Sequence, residues 1–289
     1  MYAVGARTSP VAVSDRKEPR VDAQQSLNPL DAPVPQEVHL EAAPLVRVVA
    51  QVRIPLVASI EQRDFIAPFQ EAVRAEYPVL RPEKSFGMVL GPNGLVETQA
   101  PTTIWRFEDI SGDWRASLAP SFVALETTRY SSRADFLQHF ERLLQATRDH
   151  VDPQVVDRLG IRYIDRVPWS GPEDFGRLVS ADVAGPLLWP VGDMIKQAIA
   201  QNIFVLPEDA GELMVRWGLV PANSTIDPSA VEPSDSPTWI LDLDAYMNRP
   251  QPFSVEPLVE RTRFFAERAY TFFRWMVTEE FLTRFGGRP

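Results

Sequence analysis

Val46, Val48, Ala50, Val52 and Ile54 fall on one side of an extended chain, and Arg47, Gln51 and Arg53 fall on the other. A period of two residues suits a β-strand with one buried and one polar face, and Pro55 ends it. "GIRYIDRV" (160–167) alternates in the same way, with Ile161, Tyr163, Asp165 and Val167 on one face and Arg162, Ile164 and Arg166 on the other. Further strands are predicted in "TIWRFED" (103–109), "WRASLAPSFVALETTRY" (114–130), "QNIFVL" (201–206), "ELMVRWGLV" (212–220) and "TWILDLDAYM" (238–247). Half-buried strands need a cover, and three stretches of helical period supply one. Phe65, Phe69, Ala72, Val73 and Tyr77 follow Asp64 as a candidate N-cap, and Pro78 stops them. Ser132 and Asp135 make a capping-box-like start for Phe136, Phe140, Leu143 and Leu144. Ser254 opens an apolar pattern running to about Leu282, a helix of roughly 40–45 Å at 1.5 Å per residue. The fold class this implies is α+β, with antiparallel meanders covered by helices and a long C-terminal helix.

Residues 1–38 hold five prolines, scattered charge and no apolar period, which predicts a disordered leader, with a docking peptide as the alternative. Residues 39–289 then form a single α+β domain. "SFGMVLGPNGLVETQ" (85–99) reads as a hairpin turning at Pro92, Asn93 and Gly94. A short helix is expected from about Ser170 to Val183. The proline-rich "PANSTIDPSAVEPSDSP" (221–237) reads as a mobile loop. "VALETTRY" and "WILDLDAY" align Leu125 with Leu241, Glu126 with Asp242 and Tyr130 with Tyr246, so two related halves (45–168 and 169–285) compete with chance similarity.

Composition removes several function classes. There is no cysteine among the 289 residues, hence no disulfide framework, thiolate metal site or cysteine nucleophile. A formal charge of −10 and no run of Lys and Arg argue against a nucleic-acid partner. No apolar stretch approaches the roughly 20 residues of a bilayer span, and no signal-peptide layout opens the chain, so a cytoplasmic location is expected. His39, His139 and His150 lack ligand spacing, with His139 expected on the surface, and no nucleophile elbow, phosphate loop or dinucleotide fingerprint is present. No cofactor is expected.

Two carboxylates sit among apolar neighbours, Glu126 and Asp165. A buried carboxylate is costly unless paired or protonated. The economical reading pairs each with an arginine such as Arg53, Arg129 or Arg162. The functional alternative is a polar pocket formed by Glu126, Arg129, Tyr130, Arg162 and Asp165. Asp242 and Asp244 point the same way from one strand and are weak candidates for a divalent cation, against the simpler reading of a solvated sheet face. The C-terminal helix carries more aromatics than one narrow face holds. Either the sheet buries most of it, or Phe264, Phe272 and Trp275 meet another subunit.

"VVAQVRIP", "FQEAVRAEYP", "GDWRASLAPSFVALETTRY", "RLGIRYIDRV" and "LDLDAY" together resemble a sporadically distributed family of uncharacterised bacterial proteins, over about residues 45–285. The resemblance implies no activity, cofactor or catalytic residue, and its distribution suggests an accessory role in a defence or mobile-element module. With no recognised catalytic arrangement, the leading expectation is a binding or interaction protein with a protein partner or self-association, homodimerisation included. A metal-dependent hydrolase or nuclease and a sensor of a small anionic ligand are the alternatives.

Overall fold

The computed structural model of the protein describes residues 28–85, 88–90, 96–98 and 101–288. Strand β1 (Leu45–Arg53) leads through α1 (Arg63–Val73) to β2 (Val79–Ser85) and the hairpin β3 (Met88–Leu90) and β4 (Val96–Thr98). The meander β5 (Thr102–Glu108), β6 (Trp114–Ala119), β7 (Phe122–Thr127) and helix α2 (Arg133–His150) complete the first half. The second half runs through β8 (Val155–Val156), β9 (Arg158–Pro168) and the single-turn helices α3 (Pro172–Phe175) and α4 (Ala181–Ala184). It continues through β10 (Ala198–Val205), β11 (Glu212–Val220), β12 (Thr238–Met247), β13 (Gln251–Pro252), α5 (Val255–Met276) and α6 (Glu279–Arg284). The expected hairpin turn at Pro92–Gly94 and the leader up to residue 27 lie outside the described residues.

Nine strands form one sheet in the order β10-β11-β12-β9-β1-β7-β6-β5-β2, with antiparallel neighbours throughout, and β13 pairs with β8 at its side. This is the expected α+β architecture. The inner face carries Val48, Ala50, Val52, Phe107, Leu125, Ile161 and Leu241, all without exposed surface, beneath α1, α2 and α5. Each of these side chains except the small Ala50 contributes about 1.5–3 kcal/mol by leaving water.

Helix α2 starts where the sequence places it, because the Ser132 hydroxyl accepts the Asp135 amide at 3.2 Å. The long C-terminal pattern instead divides in two. Val277 leaves the helix to bridge to Val179, and the Thr278 hydroxyl then accepts the Phe281 amide at 3.3 Å to start α6. The short helix expected near 170–183 is likewise two separate turns, α3 and α4.

Three other expectations are revised. Residues 28–38, placed in a disordered leader by composition, lie along α5 as an extended strap continuing to β1. Arg268 donates to the carbonyls of Leu30 and Ala32 at 3.0 and 2.9 Å, and the Tyr270 hydroxyl accepts the Val38 amide at 2.9 Å. The proline-rich segment 221–237 folds onto the outer face of the sheet, where Ala230 and Val231 pack against Ile164, Val220 and Ile240. Finally, a β-bulge between Leu45 and Arg47 moves Val46 off the face of Val48, against the outer-face cluster, and brings Leu45 opposite Asp165.

The strand order carries an internal correspondence. From the central β1/β9 pair outward, β1, β7, β6 and β5 match β9, β12, β11 and β10, and α2 and α5 follow the matched strands β7 and β12. "VALETTRY" and "WILDLDAY" therefore fall on equivalent strands. The correspondence places β9 at the head of the second half, ahead of the 168/169 division read from the sequence.

Candidate functional site

The five residues expected to share a polar pocket lie on opposite faces of the sheet. Alternation along β9 decides it: Arg162 and Arg166 point outward, while Tyr163 and Asp165 point inward. Glu126 and Arg162 stand on the outer face. Tyr130 and Asp165 belong to the inner side, under α5. Arg129 is exposed at the edge, 3.5 Å from Asp113.

On the outer face, cross-strand neighbours build a charge ladder. Arg47 and Arg115 hold the two oxygens of Glu126 at 2.9 and 3.0 Å, and Arg115 continues to Glu108 at 2.9 Å. In the other half Arg162 grips Asp242 with two bonds of 2.7 and 2.9 Å, and Arg216 adds two of 2.7 and 3.2 Å. The two clusters match residue for residue. Glu126 lies opposite Arg115 and Val49, and Asp242 lies opposite Arg216 and Ile164, so Arg47 and Arg162 occupy equivalent positions in β1 and β9. Asp244 takes Arg158 at 2.8 Å, and that guanidinium also sits 4.7 Å from the centre of the Tyr246 ring. Burial pushes Asp244 above the ordinary carboxylate value against the pull of Arg158. A groove of about 410 Å³ runs over this array, from Arg47 and Gln51 to Arg158 and Ser229. Its carboxylates are committed to guanidinium groups. Asp242 has no exposed surface and four charge-assisted bonds, so a cation would have to displace two arginines to reach it. Among the described residues, no group of three or more His, Asp and Glu side chains is arranged to hold a metal ion.

The inner side holds a cavity of about 360 Å³ between the sheet and α5. Asp165 and Tyr163 from β9, Leu243 from β12 and Leu45 beside the bulge form its sheet wall. Ala266, Ala269, Tyr270 and Phe273 of α5 form the opposite wall, at positions i, i+3, i+4 and i+7 of one helical stripe. The strap closes a third side with Glu37, Val38, His39, Leu40 and Ala43, and Tyr130 to Arg133 border the rest. The space exists because two alanines interrupt an aromatic-rich helix opposite the sheet.

Asp165 is 6 % exposed, and among the described residues no side chain or amide bonds to it. The expected arginine partner is absent for a geometric reason. Arg53 and Arg162 project from the other face, Arg129 points to solvent, and Arg133 is held by Glu37 of the strap and Glu267 of α5. Burial alone pushes the Asp165 carboxyl up to about 7. Tyr130 meets Tyr163 edge to face at 5.8 Å, and burial raises both phenols above their ordinary value, so they stay neutral.

Of the aromatics expected at a subunit interface, Phe272 is buried within the chain, while Phe264 and Trp275 are half-buried. Phe272 packs on Phe204 of β10 at 5.1 Å and on Trp275 at 5.3 Å, and Phe264 lies 5.9 Å from the Arg268 guanidinium. His139, expected on the surface, stacks on Trp114 at 4.3 Å, with Nδ1 2.8 Å from the Tyr77 hydroxyl.

The sequence does not single out Leu243, the alanines of α5 or the strap as site residues. The available signal is the pair Ala266 and Ala269 among phenylalanines. No protein-family model matches the chain, and no curated protein matches it significantly. Among the described residues, no helix is long and apolar enough to cross a membrane.

Proposed function

We propose that this chain is a binding protein, without catalysis of its own, that holds a small and largely apolar molecule in the cavity between α5 and the sheet. One observation carries the reading: among the described residues, a buried carboxylate is left without a partner at the wall of an apolar cavity. Folding gains nothing from an unpaired buried acid, which costs several kcal/mol when charged. Pockets of this size, apolar with a few convergent polar groups, are the usual form of a small-molecule site. The strap supplies a wall that can be displaced, since up to Ala43 it is held by α5 side chains, the Glu37–Arg133 pair and one backbone bond from Ala42 to Phe285, and joins the sheet only from Pro44 onward. An accessory role in a defence or mobile-element module, in the cytoplasm, is compatible with a ligand-responsive binding protein.

The test uses a neutral environment-sensitive fluorophore such as prodan. It should bind saturably at one site, and Ala269→Phe, which fills the space opposite Asp165, should abolish binding while melting is retained. No saturable binding, or binding unchanged in Ala269→Phe, would sink the proposal.

A second reading, self-association, has its own support at the sheet edges. Edge strand β2 carries Arg81, Pro82, Glu83 and Lys84, residues that discourage strand addition. The opposite edge, β10, is "AIAQNIFV", without charge or proline, and Ile199, Ile203 and Val205 are 40 %, 55 % and 67 % exposed. An uncharged strand can pair antiparallel with its own copy across a two-fold axis without setting like charges against each other. The occupant this favours is therefore a second copy. Sedimentation should show a dimer that Ile203→Lys converts to monomer, and a wild-type monomer at high micromolar concentration would remove this reading.

A further inference from the structure

Resting on the cavity reading above, we infer that the ligand is a hydrophobic amine, its protonated nitrogen placed against Asp165 and its apolar body between Tyr163 and the alanine stripe of α5. Two observations point to a cation and a third to its apolar body. First, the charged groups lining the cavity are Asp165, Glu37 and Arg133. Arg133 is already shared between Glu37 and Glu267, so the one charge free to meet a ligand is the carboxylate. An anionic ligand would face Asp165 with no unpaired guanidinium to offset it. Second, aromatic rings surround the carboxylate from several elements: Tyr163 on the sheet, Tyr130 before α2, and Tyr270 and Phe273 on α5. Ring faces attract an ammonium group, and more strongly when it is desolvated. Third, the remaining wall is aliphatic, from Leu45, Leu243, Ala266, Ala269, Val38 and Leu40, which suits a hydrocarbon body and rejects a polyamine or an amino acid with its own carboxylate.

The proton balance follows from the same geometry. Near neutral pH an empty site holds Asp165 in part as the acid, because burial raises it to about 7. An ammonium ligand stabilises the carboxylate, so binding releases that proton to solvent and no bond is made or broken in the ligand. The other titratable groups facing the cavity are Glu37, His39, Arg133, Tyr130, Tyr163 and Tyr270. Glu37 is tied to Arg133, His39 is exposed on the strap, and the phenols Tyr130 and Tyr163 stay neutral.

Displacement of prodan tests the inference with three probes that differ only at the polar end: 2-phenylethylamine, 2-phenylethanol and 3-phenylpropanoate. The amine should bind at least tenfold tighter than the alcohol at pH 7.5, and the carboxylate should not compete. Calorimetry of the amine in two buffers of different ionisation enthalpy should show proton release at pH 6.5 that shrinks by pH 8. Asp165→Asn should erase both the preference and the release while still binding prodan, which shows that its cavity is intact. Equal binding of amine and alcohol, tighter binding of the carboxylate, failure of all three to compete, or a preference that survives in Asp165→Asn overturns the amine inference and leaves the cavity reading standing. Failure of prodan itself removes the cavity reading.

Discussion

Replacing Asp165 by valine deletes a charge while keeping nearly the same volume, and its effect on stability should depend on pH in an unusual direction. Most carboxylates in folded proteins are held below their unfolded value and stabilise the fold as pH rises. Among the described residues Asp165 has no cation to do this, and burial lifts it from 3.8 to about 7. The folded state therefore binds this proton more tightly than the unfolded state, and stability falls as pH climbs from about 4 to about 7. Three units at about 1.4 kcal/mol each put the loss on the order of 4 kcal/mol, complete once pH passes the folded value. Asp165→Val should therefore match wild type within about 1–2 kcal/mol near pH 4 and exceed it by several kcal/mol at pH 8. Urea unfolding of both proteins at half-unit pH steps measures this. The difference between the two curves isolates Asp165 from every other titrating group. A difference that stays flat between pH 4.5 and 8 would mean that the carboxylate is solvated or paired, and the reasoning about the cavity would fail with it. A saturating hydrophobic amine should restore part of the lost stability to wild type and none to Asp165→Val.

The two arginine clamps should differ in cost. Asp242→Ala leaves Arg162 and Arg216 facing each other in a buried setting and should cost about 3–5 kcal/mol by denaturant unfolding, whereas Glu126→Ala, between guanidiniums a quarter to a third exposed, should cost about 1–2 kcal/mol. Equal costs would contradict the burial difference. Arg268→Met removes two bonds to the strap, so limited proteolysis should cleave within residues 28–43 at least tenfold faster, with a shift in global melting of only a few degrees. Unchanged cleavage would show that the strap is held by something other than Arg268.

How far the sequence reaches can be judged residue by residue. The alternation in 46–54 and 160–167 is legible because a sheet covered on one face imposes a period of two, and the inner-face residues Val48, Ala50, Val52 and Ile161 follow directly from it. The same alternation places Asp165 among apolar neighbours. What it cannot supply is the identity of those neighbours, because the candidate arginines differ from Asp165 only in which face of which strand they occupy. Arg162 is three residues away and points to the other side of the sheet, and Arg53 does the same from β1. Pairing across a sheet also explains why the match between "VALETTRY" and "WILDLDAY" looks weak in one dimension and is specific in three. The aligned carboxylates Glu126 and Asp242 are each met by an arginine directly across the next strand, Arg115 and Arg216, and by a second from the central pair, Arg47 and Arg162. Those arginines are scattered from residue 47 to residue 216, so no linear comparison groups them. The strap was unreadable for a different reason. Its prolines and charges describe a segment with no core of its own, which is accurate, and its order comes from carbonyls offered to Arg268 more than two hundred residues later. Among the described residues other buried polar atoms also lack a partner, such as Trp239 Nε1 and the Ser180 hydroxyl; what sets Asp165 apart is that it lines a cavity, where a ligand has something to contribute.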